Sequence, residues 1–340
     1  MNRVFRLLAL GAALAGVASP ATAQSYHVTK TFTLGGDGGW DYLALDTVGH
    51  RLFVARQDRV MVIDPESGKL LGEIPGLNRA HGIAFSYETG HGFATSGADS
   101  AVTMFDLKTL KVLGRTTAAV DDDAVLYDPA TRRIFTFNGD ANSSSALDAA
   151  TGKLVGNIDL GGGPEFGVSA GDGKLYVNIE DKSEIVEIDA AAMKVTRRWP
   201  LAPCQSPSGL AIDREHHRLF SGCHNQVMAI SDAVAGKVVA SVPIGMGIDA
   251  CRFDAGTGLA FASNGDGTIT VVHEDTPDKY TVVGNATTKP GARTMEVDLK
   301  THRLFTVTAE FGPAPAPTAE RPRPRRPVLP GTFALLELDP

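Results

Sequence analysis

Seven polar residues stand one at the head of each unit of a long internal repeat: Asp41, His81, Asp123, Glu165, Ser208, Asp249 and Arg293. Four are carboxylic acids, and the others offer an imidazole, a hydroxyl and a guanidinium. Brought together, the acids would raise one another's pKa unless a cation or Arg293 compensates. A solvated channel needs only Ser, Thr or Asn, whereas polar groups converging in a concavity make a ligand site. Carboxylate and amide oxygens suit Ca2+ or Mg2+, and Asp41, Glu165, Asn178, Asp249 and Asn264 would supply them. Such a cation would polarise an ester or lactone, with His81 or His224 as base and Arg293 as the remaining catalytic candidate. Lacking a metal, the seven residues with Asn178 and Asn264 would instead be a recognition surface for a small molecule or a protein. Gly161-Gly162-Gly163 precedes no helical pattern and is not a phosphate loop.

The elements that must position these groups are strands. From Gly39 to Ile74 the chain reads as four: Asp41–Leu45, Arg51–Ala55, Arg59–Ile63 and Lys69–Ile74, separated by Gly, Asp, Pro and Ser turns. The second strand recurs at Leu52, Gly92, Ile134, Leu175, Leu219, Ala260 and Leu304, spaced 40 to 44 residues apart. Each is followed by an aromatic: Phe53, Phe93, Phe135, Tyr176, Phe220, Phe261 and Phe305. A period of about 40–45 residues with four strands per unit is that of a β-propeller. The expected fold is all-β, with seven four-stranded antiparallel blades. Eleven residues before each aligned position (ten in blade four) lies the start of the first strand, which lines the channel. The seven polar residues therefore ring one mouth. The last unit lacks a strand, and Tyr26–Leu34 should supply it and close the ring. Residues 312–330, rich in Pro and carrying Arg321, Arg323, Arg325 and Arg326, form a loop inside the last blade. It is either a solvated segment or a lid over the acidic mouth.

Residues 1–23 have a basic start, an apolar run from Leu7 to Val17 and Ala21-Thr22-Ala23, the pattern of a cleaved signal peptide. The expectation is a periplasmic or secreted, monomeric protein whose one domain spans 24–340. Removing Arg3 and Arg6 takes the formal charge from −7 to −9, which disfavours nucleic acid as a partner. No later stretch is apolar enough to span a bilayer. Cys204 and Cys223 should lie on one face of one sheet and form a disulfide. With His224 they have the alternative reading of a soft-metal site. Cys251 reads as a buried small hydrophobe.

GWDYLALD, RLFVAR followed by VMVIDPESGKLLGEI, KLYVNIED and SNGDGTITVV together resemble the YncE-like, YVTN-repeat family of secreted seven-bladed propellers. The resemblance covers the chain after the leader, and KLYVN at Lys174–Asn178 is its closest match to the repeat motif. It implies the propeller fold and a binding or scaffold role, with a periplasmic protein or small molecule as partner. The fold is also shared with calcium-dependent lactonases of the paraoxonase type, whose ligand pattern cannot be laid onto this chain.

Overall fold

In a computed structural model that describes residues 25–318, 324 and 326–340, seven four-stranded antiparallel sheets surround a central channel. Blade one consists of Leu43–Asp46, Arg51–Arg56, Arg59–Ile63 and Leu70–Pro75, paired in sequence order. Blades two to six repeat this arrangement. Blade seven closes the ring: His27–Thr33 lies antiparallel to Ala334–Asp339, with Phe32 opposite Leu335. Its remaining strands are Arg303–Thr308 and Met295–Asp298. Closure leaves the last blade no unpaired third strand, which is why the first strand-like segment is needed to finish the fold. The expected leader at 1–23 and Arg321, Arg323 and Arg325 lie outside the described residues. No helix among the described residues is long and apolar enough to cross a membrane.

All seven second-strand aromatics are buried. Phe53 meets Phe85 and Phe105 of blade two at 4.9 and 5.9 Å between ring centroids, and Phe220 stacks on Phe253 of blade six at 5.0 Å. These rings fill the wedge between neighbouring sheets, where one face of each sheet must find apolar cover. Cys204 and Cys223 are disulfide-bonded, which takes them out of any thiolate metal site. Cys251 is buried, and burial pushes its thiol up to about 12.

Candidate functional site

The channel mouth is built from irregular strand starts. In blade two, Ala80 pairs with Ser96 and Ile83 with Ala94, so His81 and Gly82 together face a single residue. The same slip occurs around Asp123, Glu165, Ser208 and Asp249. Such bulges turn a side chain out of the pleat, and here they lean the ring residues into the mouth. The bulged backbone is held by the neighbouring blade. The Thr95 hydroxyl donates to Asp123 O at 2.6 Å, the Asn178 amide to Ser208 O at 2.9 Å, and the Ser263 hydroxyl to Arg293 O.

All seven ring residues meet at this mouth. His81 Nδ1 faces the Asp41 carboxylate and lies 3.2 Å from Asp123 Oδ1. Arg79 Nε donates to His81 Nε2 at 2.9 Å when the imidazole is neutral, which places its proton on Nδ1, towards the two acids. Ser208 donates to Glu165 Oε1 at 3.3 Å, and Arg293 pairs with Asp249 at 3.3 Å. With Trp40, Tyr42, Gln57 and Arg79, six of the seven line a cavity of about 430 Å3. Ser208 is buried and reaches the cavity only through its bond to Glu165. Tyr42, its ring 5.3 Å from Phe166, is part of the cavity lining.

The electrostatics follow from crowding acids in a half-buried cup. Burial and then Asp41 push Asp123 up to about 7. Burial raises Asp249 to about 6, against the opposing pull of Arg293. Glu165 is held well above the usual range by burial and by Asp123. Burial works against a charged His81, but the hydrogen bond to Asp41 and the charge of Asp123 outweigh it and raise the imidazole. Arg293 is raised by Asp249. The one guanidinium in the ring cannot neutralise four carboxylates.

Several expected ligands are elsewhere. Asn178 spends its amide on Ser208 O and Gly209 O and accepts from Ser221, so it is a brace between blades four and five. Asn264 donates to Thr268 and Thr270 within its own blade. Neither lines the cavity. The oxygen set Asp41, Glu165, Asn178, Asp249 and Asn264 is therefore not assembled; the three donors that converge are Asp41, His81 and Asp123, within 4.8 Å of one another. His224 lies on the same face but outside the cup, half-exposed and 3.6 Å from Glu180. Register separates these cases: Asn178 stands three residues past the aligned position and Asn264 four, and adjacent strand residues face opposite sides.

Arg79 gave no periodic signal, because it sits in the loop between blades with a left-handed φ of 58°. It also pairs with Asp121 at 2.6 Å, tying the Asp121-Asp122-Asp123 run to the site. Arg56 is fully buried under the cup. It donates to Asp37 O, Gly38 O and Gly39 O and lies 3.7 Å over the Phe333 ring, fixing the segment that delivers Trp40 and Asp41. Beside the cup, Trp40, Phe311, Arg326 and Val328 line a second cavity of about 530 Å3 that shares Gly39, Trp40 and Arg293 with the first. The described end of the 312–330 loop thus forms part of the rim.

No family model matches the chain, and no curated protein matches it by sequence. Solved structures do match in shape: this is a seven-bladed β-propeller with WD40-like neighbours. A structure of U3-55K and a crystal structure of RRP9 WD40 repeats each superpose with a TM-score of 0.74 at 11% identity, over 94% of this chain and 99% of theirs. A crystal structure of the mitotic checkpoint complex contains a chain with a TM-score of 0.75 at 10% identity, over 99% of both. At such identities the likeness is one of fold.

Proposed function

We propose that this chain is an exported binding propeller of the YncE-like, YVTN-repeat kind, and that its ligand brings positive charge into the acidic mouth. The observation that carries this reading is the set of four carboxylates with one guanidinium in the ring, three of them held above their usual pKa by burial and mutual repulsion. A cation entering the cup would relieve that repulsion, so the differential favours ammonium, guanidinium or a divalent metal over anions. The WD40-like fold supports a binding role. The Cys204–Cys223 disulfide supports an oxidising compartment.

Because the acids hold protons that a cation must displace, affinity should rise with pH across the range from about 5 to 8. The experiment is calorimetric titration of the purified protein with Ca2+, Mn2+ and a series of mono- and diamines, with an Asp123→Asn, Glu165→Gln variant alongside. Cation binding that strengthens with pH and disappears in the variant is the expected result. Equal binding in the variant, or capture of anions alone, would discard the reading.

A metal-dependent hydrolase is the second reading, favoured by the convergence of Asp41, His81 and Asp123. The geometry weighs against His81 as its base, since the Arg79 guanidinium occupies the Nε2 lone pair.

A further inference from the structure

Blade six departs from the others on the face away from the mouth. Its strands Thr268–Thr276 and Lys279–Thr287 have nine residues each, where the third and fourth strands of blade one have five and six and those of blade five six and seven. The added length carries Glu274 out to the turn that follows the first strand of blade five. In that turn the Asp213 carboxylate accepts the backbone N–H groups of Glu215 at 2.9 Å and His216 at 3.2 Å, which fixes its orientation. His216 Nδ1 lies 2.6 Å from Asp213 Oδ2 and 3.1 Å from Glu274 Oε1. One ligand atom from each of the three falls within 4.8 Å of the others, and all three residues line a cavity of about 300 Å3.

Glu274 is the observation that a turn-forming role does not explain. Its side chain is only 5% exposed; Oε1 has the His216 Nδ1 contact alone, and Oε2 accepts no hydrogen bond. A carboxylate buried in this way is unfavourable unless a proton or a cation compensates its charge. The nearest guanidinium, Arg218, gives its donors to Pro277 O, His216 O and Asp278 instead.

We propose that Asp213, His216 and Glu274 form a site for a divalent transition metal of the zinc or manganese class, joining blades five and six. One imidazole nitrogen and two carboxylate oxygens suit zinc or manganese better than Ca2+, which takes six to eight oxygens. Three protein ligands leave a coordination position facing the cavity, the arrangement of an open site rather than a closed structural one. Asp213 is already oriented by its turn, so the site would need only the approach of Glu274 and release of the His216 Nδ1 proton.

The test is zinc titration of chelator-stripped protein against a chromophoric chelator. Glu274→Gln keeps the side chain's shape, and His216→Ala changes an exposed turn residue whose loss should leave folding intact. An Asp41→Asn, Asp123→Asn variant removes the mouth as a competing site. The expected result is one zinc that each lower-face variant binds at least about tenfold more weakly and that the mouth variant retains. The proposal is overturned if the protein takes up no zinc, if both lower-face variants bind as well as the parent, or if only the mouth variant loses the metal.

Discussion

Asp123 and Asp148 belong to the same blade and lie at opposite ends of it, and their carboxyls are driven in opposite directions. Asp148 ends the third strand. Its oxygen accepts the Thr151 hydroxyl at 2.7 Å and the Thr151 N–H at 2.8 Å, and these bonds hold its pKa low, the hydroxyl contributing most. Asp64 is lowered in the same way by the Glu66 N–H. Asp123 has no such turn behind it. Burial and a second acid, Asp41, dominate its surroundings, and it is raised to about 7. On the turn face the chain supplies donors two or three residues away, as Asp-headed turns do. At the mouth Asp123's charged neighbours come mostly from other blades, and most are acids. One residue type thus makes a structural turn on one face and a crowded, proton-holding ring on the other.

The largest expected effect breaks the turn side. Asp128 is buried and accepts the Thr131 N–H, the Thr131 hydroxyl and the Ser169 hydroxyl. Asp128→Ala should lower unfolding free energy by about 2–3 kcal/mol in urea melts, because it strands buried donors. A loss below about 0.5 kcal/mol would mean that water replaces the carboxylate, and the contrast between faces would shrink.

The mouth should respond with the opposite sign. Asp123 and Asp249, at about 7 and 6, keep protons in the fold that the unfolded chain releases near pH 4. Their contribution to stability is therefore fully present below about pH 4 and is lost as pH rises through about 6–7. His81, also raised, adds in the same direction. Asp123→Asn should stabilise the ligand-free protein by roughly 2–3 kcal/mol more at pH 8 than at pH 5, where part of the gain is already present. Destabilisation at pH 8 larger than that at pH 5 would show that the ring is compensated.

Asp148→Ala should have the smallest effect, a loss of about 0.5–1 kcal/mol at pH 7. Because its folded pKa is depressed, that difference should fade as pH falls through the native value, below about 4. A pH-independent loss would assign the cost to turn propensity rather than to the charged acceptor.

Much of this was legible in sequence. Seven aromatics from Phe53 to Phe305 mark the blades because interblade packing demands a large apolar group at one position in each. Ring membership was legible from Asp41 to Arg293 because a constant offset from that aromatic is a constant place in the blade. Asn178 and Asn264 were misread because a polar residue near a mouth looks the same whether it points at a ligand, at the next blade's backbone as Asn178 does, or at side chains of its own blade as Asn264 does. Arg79 and Glu274 were missed for another reason: one sits in a loop and the other in a strand extension, and neither repeats.

The sequence by itself determined the seven-bladed ring, its closure through His27–Thr33, the Cys204–Cys223 pairing and the acidic mouth, because each follows from periodicity and strand alternation, which are local. The tertiary structure decided which groups touch. That His81 bridges Asp41 and Asp123, that Arg79 caps its other nitrogen, and that Glu274 is buried against Asp213 and His216 all depend on distances between blades. Charge interactions vary with separation and burial, and no pattern along one strand encodes either.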